Sequence, residues 1–224
     1  MPQHPRSDRG GAATRTRILE AAERVVRERG LARATTKEIA RAAGCSEAAL
    51  YKHYKDKADL VIAMIMTIVS RPGALCRHLA ELPARAETQS LEEMVTGLAR
   101  CAIGDYTQAM GVCSAMFAEP ELLDQYRRRL IELGVGPRIP LREFADFLRA
   151  EQAAGRVNRN ADPDAASALL LGACFYRAFL DSLLGDGAED VPEFIRTTVG
   201  GLLPMLAPAP QPSVLPAGQR CATA

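Results

Sequence analysis

The sequence predicts an all-α protein of about nine to ten helices, in which a small N-terminal helix-turn-helix head precedes a larger helical body. Three observations lead to this fold class. Apolar residues recur three and four positions apart through most of the chain, no run alternates with period two, and turn residues are widely spaced. The 224 residues are 48% hydrophobic, which is enough for one or two domains with an ample core.

The most informative stretch is residues 35–57, which reads as two short helices joined by a tight turn. Thr35 followed by Glu38 is a capping-box pattern that begins the first helix. Gly44 ends that helix because glycine accepts a positive φ, and Ser46 is suited to cap the next one. So short a turn makes the helices cross steeply. This is the geometry that places a second helix in the major groove of DNA.

Positive charge is concentrated around this motif. Residues 1–57 hold 13 Lys and Arg against 7 Asp and Glu, a net of +6, whereas residues 58–224 hold 15 against 20, a net of −5. All four lysines of the protein lie within the motif, at positions 37, 52, 55 and 57. A basic head on an acidic body is expected if only the head meets DNA phosphates.

A longer pattern keeps a fixed register around the motif: Arg17-Ile18-Leu19-x-Ala21-Ala22, Gly30, Thr35-Thr36-x-x-Ile39-Ala40-x-x-Ala43-Gly44-x-Ser46, Leu50-Tyr51-x-His53-Tyr54-x-x-Lys57 and Leu60. In this pattern, residues 15–65 resemble the N-terminal domain of the TetR family of transcriptional regulators. Members of that family are one-component repressors that release DNA when a small molecule binds. The resemblance therefore implies a DNA operator and a small-molecule effector as partners.

The resemblance also implies which residues contact DNA. Positions that match base-reading positions of the family are Lys37, Glu47, Ala48, Ala49 and Tyr51, and positions that match phosphate contacts are Thr36, Ser46, Lys52, His53 and Lys57. With the capping Thr35 they form the predicted DNA-binding set. Glu47 repels phosphate but can accept a hydrogen bond from a cytosine N4 amino group.

Capping signals and composition divide the chain into an unstructured basic arm at 1–13, the head at 14–57, the body at 58–206 and an unstructured tail at 207–224. The head begins with an amphipathic helix at 14–29, and Asp56 caps a fourth helix at 57–70, which in the TetR family links ligand site to DNA head. Further helices are predicted at about 74–82, 90–103, 105–118, 120–133, 139–154, 163–184 and 192–206.

Residues 134–140 contain two glycines and two prolines, which must interrupt a helix. The TetR family more usually has one long helix across this region. This segment therefore departs from the family pattern, and we expect it to form a flap over the ligand pocket.

A ligand pocket is predicted in the body from methionines and aromatic residues, which make adaptable apolar walls. Few charges interrupt these stretches, which favours an apolar or aromatic ligand over a phosphorylated one. The alternative for each residue is a place in the ordinary core. The predicted ligand-binding set is Met64, Tyr106, Met110, Cys113, Met116, Phe117, Phe144, Phe147, Phe175 and Phe179.

A homodimer interface is predicted on the last two helices. Small residues along the helix at 163–184 permit close approach of another helix, and the last helix is also apolar. By resemblance, the TetR family dimerises through these two helices, which would match two half-sites of a near-palindromic operator. The predicted set is Ala165, Leu169, Gly172, Ala173, Tyr176, Leu180, Leu202, Leu203 and Leu206.

The six cysteines show neither a CxxC motif nor metal-ligand spacing, so we expect reduced, buried thiols and no bound metal. Cys101 and Cys113 are the nearest candidates for a redox-sensing pair. The sequence also lacks GxSxG, HExxH, P-loop and glycine-rich dinucleotide patterns. We therefore predict no catalytic residues, no enzyme activity and no cofactor.

Targeting signals are also missing from the sequence. It has no uninterrupted apolar run of about 20 residues and no apolar region near its N-terminus, which predicts a cytoplasmic protein that does not enter a membrane. Three alternatives stay open: an activator, a regulator triggered by cysteine oxidation, and, in another class, a helical carrier of an apolar metabolite that binds no operator.

Overall fold

The computed structural model describes residues 7–70, 73–185 and 190–208. Within these residues the chain forms helices and connecting turns, with no strand, and the predicted all-α class is confirmed. The described helices are α1 Ser7–Arg29, α2 Thr36–Ala42, α3 Glu47–Tyr51, α4 Lys57–Ser70, α5 Ala74–Arg85, α6 Leu91–Phe117, α7 Pro120–Leu133, α8 Arg138–Ala153, α9 Pro163–Leu184 and α10 Val191–Leu206.

Helix α1 begins at Ser7, seven residues before the predicted start at Thr14. The predicted arm is thus wrong for residues 7–13, while residues 1–6 lie outside the described residues, as do residues 209–224 of the predicted tail. Residues 7–13 contain no proline, and Ala12 and Ala13 have high helix propensity. Helix α1 can therefore extend toward the N-terminus as far as Ser7.

One apolar cluster, which we call the head core, joins the head to part of the body. It contains buried side chains of α1 to α4, together with Met116 of α6 and Leu122 of α7. Six residues of α4 belong to it, from Leu60 to Met66. The sequence boundary at 57/58 therefore does not separate two cores, because α4 packs with the helices on its N-terminal side.

A second cluster, the body core, is formed by buried side chains of α5, α6, α8, α9 and α10, among them Leu79, Leu98, Phe144, Leu170 and Leu202. The helix α6 crosses both clusters, since Leu98 lies in the body core and Met116 in the head core. A displacement of α6 would therefore reach both cores.

The continuity of α6 corrects the prediction of two helices at 90–103 and 105–118. Ser90 caps the helix with Glu93 in a capping box, and the helix then runs unbroken to Phe117. Gly104 does not end it because a glycine inside a helix costs only about 1 kcal/mol relative to alanine, and packing of both halves offsets that cost.

The predicted interruption near residue 134 is confirmed. Helix α7 ends at Leu133, and Gly134 follows with a φ of 62°, a left-handed conformation that favours glycine. Val135 is half-buried against the head core, and its N–H donates to the Leu130 carbonyl at 3.2 Å. The interruption thus packs on the cluster that contains α4.

The start of α5 is fixed by a side chain of α6. The Asp105 carboxylate accepts from the N–H groups of Ala74 and Leu75, at 3.2 and 2.9 Å. A Cβ on Gly73 would lie 2.1 Å from Asp105 Oδ2, so only glycine leaves room for this cap. The contact ties the junction after α4 to the middle of α6.

Among the described segments, α9 is the one helix that is long and apolar enough to cross a membrane. About one third of its most apolar stretch is buried, 33%. The sequence predicted no such segment. The buried side of α9 packs against α6 and α8.

Candidate DNA-binding site

The turn between α2 and α3 is fixed by side-chain and backbone caps. Thr35 accepts from the Glu38 N–H at 3.2 Å, and the Glu38 carboxylate accepts in return from the Thr35 N–H, which lowers the Glu38 pKa. At the other end, Gly44 has a φ of 67°, and the N–H groups of Gly44 and Cys45 donate to carbonyls one turn back. The predicted capping residues are confirmed.

Helix α3 is held on the head by two buried side chains. Leu50 is fully buried and Tyr54, just beyond the helix, is 1% exposed. The guanidinium of Arg15 lies 5.0 Å from the Tyr54 ring centre, and burial raises the pKa of this tyrosine. The Ser46 hydroxyl accepts from the Ala49 N–H at 3.1 Å and caps the start of α3. These contacts leave the opposite side of α3 free to face a partner.

Thr36, Glu47 and Tyr51 form a hydrogen-bonded group at this outward side. The Thr36 hydroxyl donates to Glu47 Oε1 at 2.6 Å and lies 3.2 Å from the Tyr51 hydroxyl. Thr36 is buried, whereas Glu47 is half-buried and Tyr51 is 46% exposed. The Thr36 hydroxyl is thus already hydrogen-bonded within the head, which makes it less suited to the predicted phosphate contact.

The lysines of the motif divide into two groups. Lys37, Lys52 and Lys55 are exposed, so their ammonium groups are available to phosphates. Lys57 is half-buried, and its Nζ donates to the Leu31 carbonyl at 3.1 Å, which ties the end of the motif to the loop after α1. The predicted phosphate role of Lys57 is thus better assigned to Lys55, which the predicted set left out although it lies in the same basic run.

The remaining predicted residues differ in exposure and in their hydrogen bonds. Ala48 is exposed, and Ala49 and His53 are half-buried. The hydroxyls of Thr35 and Ser46 accept the N–H hydrogen bonds that cap α2 and α3. Most of the predicted DNA-binding set lies on α3 or next to its ends, and Thr36 of α2 is hydrogen-bonded to Glu47 of α3. Its basic rim and small apolar centre suit the major groove, which admits an α-helix.

The family model described as "Bacterial regulatory proteins, tetR family" matches residues 18–64, which span the capped turn and most residues of the head core. Residues 18–64 thus match the DNA-binding head of the TetR family. The resemblance seen in the sequence is thereby confirmed, and the match covers the helix-turn-helix head and most of α4.

Known transcriptional regulators are similar to different extents of the chain. The transcriptional regulator TtgR of Pseudomonas putida is 43% identical over 64 residues, which cover 29% of this chain and only 30% of that protein. UidR of Escherichia coli is 25% identical over 193 residues, 85% of this chain and 93% of that protein. A TetR-family regulator from Mesorhizobium loti matches 88% of this chain and 98% of its own, with a TM-score of 0.73 and 21% identity, which shows a shared fold.

The predicted ligand-binding residues are divided between the two cores and the surface. Met64 and Met116 are buried in the head core, whereas Phe144 and Phe147 are stacked in the body core. Phe117 is 68% exposed, so its assignment to a pocket is wrong: α6 ends there and turns the ring outward.

The other predicted ligand-binding residues lie on the second half of α6 and on α9. Tyr106 meets the edge of Phe175 at a centroid distance of 5.8 Å, and burial raises the Tyr106 pKa to about 12. Met110 is buried, Cys113 is half-buried, and Phe179 is 43% exposed on α9. Tyr106 packs against the body core and Cys113 against the head core, so this part of α6 lies between the two cores.

Two shallow cavities of the body are lined by other residues. One of about 210 Å³ lies between α6 and α10, beside Thr96, Arg100 and Val199. The other, of about 340 Å³, lies between α9 and α10 beside Leu169, Ala173 and Met205. Neither contains a member of the predicted ligand-binding set.

The predicted dimer residues also divide. Leu202 and Leu206 are buried in the body core, because α10 turns them toward α6 and α9, so their assignment to an interface is wrong. Ala173, Leu180 and Leu203 are half-buried. The others belong to an exposed row at spacings of three and four on α9, which we call the α9 stripe: Ala165, Leu169, Gly172, Tyr176, Phe179 and Leu183.

The cysteines do not support an internal redox pair on α6. Cys101 and Cys113 are 12 positions apart on this continuous helix, which places them about 18 Å apart along its axis, too far for a disulfide. Burial raises the pKa of both thiols, and it raises that of Cys174 to about 12. Raised thiol pKa values disfavour the reactive thiolate.

Proposed function

We propose that this protein is a homodimeric transcriptional repressor that binds a near-palindromic DNA operator and leaves it when an apolar or aromatic small molecule binds the body. The observation that supports it most is the head itself. A capped α2–turn–α3 unit presents a small, uncharged centre at Ala48 and Ala49 between exposed lysines. A protein with this function works in the cytoplasm, where the chromosome lies.

DNA binding would rest on the division of labour around α3. Exposed Lys37, Lys52 and Lys55 would neutralise phosphates, and Glu47 with Tyr51 would face base edges. The net charge of +6 in residues 1–57 supports association with DNA, while the net of −5 in the rest would keep the body away from it.

The α9 stripe is the part of the body that supports a dimer. Leu169 is 60% exposed, Tyr176 57% and Leu183 65%, which is unusual for large apolar side chains that follow one side of a helix. A two-fold axis beside α9 would pack each stripe against its copy, and Gly172 and Ala165 would let the helices come close. Two heads could then contact two half-sites.

Ligand release would run through α6. A ligand beside Tyr106, Met110 and Cys113 would press on a helix that enters both cores, and Met116 at its end packs with α4. A shift of α4 would change the spacing of the two heads relative to the half-sites. Flexible methionine and aromatic walls suit an apolar ligand.

The experiment that tests the function is fluorescence anisotropy with duplex DNA from the region upstream of the protein's own gene. A scrambled duplex is the control, and both are titrated at several salt concentrations. We expect tighter binding to the natural duplex, at two or four protomers per duplex, and loss of binding when the right ligand is added. Loss of binding with added ligand then identifies effectors.

The alternatives give different results. Equal and strongly salt-dependent binding to both duplexes would mean that the operator lies elsewhere. No binding at low salt, together with uptake of apolar ligands, would contradict operator binding and support a small-molecule carrier. A reporter gene placed behind the operator separates a repressor, which lowers its expression, from an activator.

A further inference from the structure

The hydrogen bonds among Thr36, Glu47 and Tyr51 have a direction that can be assigned. A threonine hydroxyl has one proton, and a carboxylate only accepts. At 2.6 Å, the Thr36 proton is donated to Glu47 Oε1. The 3.2 Å contact between Thr36 and the Tyr51 hydroxyl must then use the tyrosine proton, so Tyr51 donates to Thr36.

This direction determines what the outward side of α3 offers to DNA. The second carboxylate oxygen of Glu47 has lone pairs only, and the Tyr51 oxygen, having given its proton to Thr36, also presents lone pairs. Tyr51 is 46% exposed and Glu47 is half-buried, so both can meet a partner. The group therefore offers hydrogen-bond acceptors and no donor.

Acceptors at this place are poorly suited to phosphate. A carboxylate repels the phosphate oxygens, whereas the exposed lysines on both sides of α3 attract them. The phosphates would therefore be held at Lys37, Lys52 and Lys55, and the acceptors would face base edges. In the major groove only two base groups donate there, the N4 amino group of cytosine and the N6 amino group of adenine.

We propose that Thr36 is a positioning residue that orders Glu47 and Tyr51 as a pair of acceptors and thereby selects amino-bearing bases, cytosine or adenine, in each half-site. Guanine O6 and thymine O4 would face these acceptors and be rejected. The inference rests on the proposed function, since it concerns how the same head reads an operator.

The hydroxyl of Thr36 can be removed with little change of shape. Thr36→Val keeps the branched side chain and lacks the proton, whereas Thr36→Ser keeps the hydroxyl. The neighbouring Thr35 offers a matched control, because its hydroxyl caps α2 and takes no part in the group. Thr35→Val thus weakens the same helix without altering the acceptors.

The test is selection from a randomised duplex library with the full-length protein and each of the three variants. We expect the wild-type protein to enrich half-sites with cytosine or adenine at one or two positions. In Thr36→Val the preference for cytosine or adenine at these positions should fall about tenfold, while the preferences at other positions stay unchanged. Thr36→Ser should restore the wild-type preference. Thr35→Val should select the wild-type sequence with uniformly lower affinity.

A second measurement uses the enriched duplex with the selected amino group replaced by hydrogen, as purine in place of adenine or 2-pyrimidinone in place of cytosine. The wild-type protein should bind this duplex about tenfold more weakly than the parent, and Thr36→Val should discriminate much less.

The outcomes separate the inference from the function. If the wild-type protein enriches no sequence, both the operator-binding function and the inference fail. If it enriches a motif that Thr36→Val selects with equal strength, or if Thr35→Val changes the same base positions, the operator binding stands and the role of Thr36 is overturned.

Discussion

The α3 side of the head and the α9 stripe of the body are both exposed, but they differ in chemistry. Around α3 the exposed groups are lysines, small alanines and a hydrogen-bonded Glu47 and Tyr51. Along α9 they are large apolar side chains such as Leu169 and Leu183. The surface around α3 is suited to bind negatively charged phosphates, and the α9 stripe is stabilised when its apolar side chains are removed from water.

This difference in chemistry allows DNA binding and dimerisation to be tested separately. Contacts with phosphate release counterions and weaken steeply as salt rises, whereas burial of apolar surface does not depend on counterion release. Substitutions on one surface should therefore change the salt dependence of DNA binding, and substitutions on the other should change the oligomeric state first.

The largest expected effect is on the α9 stripe. Leu169→Asp should weaken the dimer by at least about a hundredfold, because a two-fold interface contains the substitution twice and buries an unpaired charge. Sedimentation velocity over a range of protein concentrations measures this. Leu133→Asp on α7, where the leucine is 50% exposed outside the stripe, is the matched control and should stay dimeric. A Leu169→Asp protein that is folded by circular dichroism and still dimeric would contradict this interface.

An intermediate effect is expected at the exposed lysines of the head. Lys52→Ala and Lys55→Ala should each reduce the slope of log affinity against log salt by about one and weaken all DNA sequences alike. Anisotropy titrations at four salt concentrations measure the slope. Arg196→Ala, on the exposed side of α10, should leave it unchanged. A change of base preference without a change of slope would show that these lysines read bases.

The smallest effect on DNA binding is expected at Lys57. Its Nζ is bonded to the Leu31 carbonyl, so Lys57→Ala should lower the free energy of unfolding by about 1 kcal/mol. Urea denaturation measures this loss, and the salt slope should change less than in Lys55→Ala. If Lys57→Ala instead lowered the slope as much as Lys55→Ala with unchanged stability, Lys57 would be a phosphate contact after all.

The sequence predicted local features well because they depend on neighbouring residues. The capping box at Thr35, the helix stop at Gly44, the cap at Ser46 and the interruption after Leu133 all involve residues within a few positions of each other. Turn and capping preferences act at that range, so the pattern alone located them.

The sequence failed where a side chain has a partner far along the chain. The sequence pattern assigns Thr36 and Lys57 to phosphate contacts. In the structure, the Thr36 hydroxyl donates to Glu47 and the Lys57 ammonium group donates to the Leu31 carbonyl. Leu202 and Leu169 are both leucines on apolar helices, but packing buries Leu202 in the body core and leaves Leu169 exposed. Periodicity predicts an apolar side of a helix but does not say whether that side meets the same chain or a second copy.

By itself, the sequence determined the helical class, the capped helix-turn-helix and the concentration of positive charge in the head. These follow from periodicity, capping and composition, which are properties of short segments. Only the tertiary structure decided that α4 belongs to the head core, that α6 joins the two cores, and that the α9 stripe stays exposed. Each of these depends on contacts between residues distant in the chain, which the arrangement of helices in space creates.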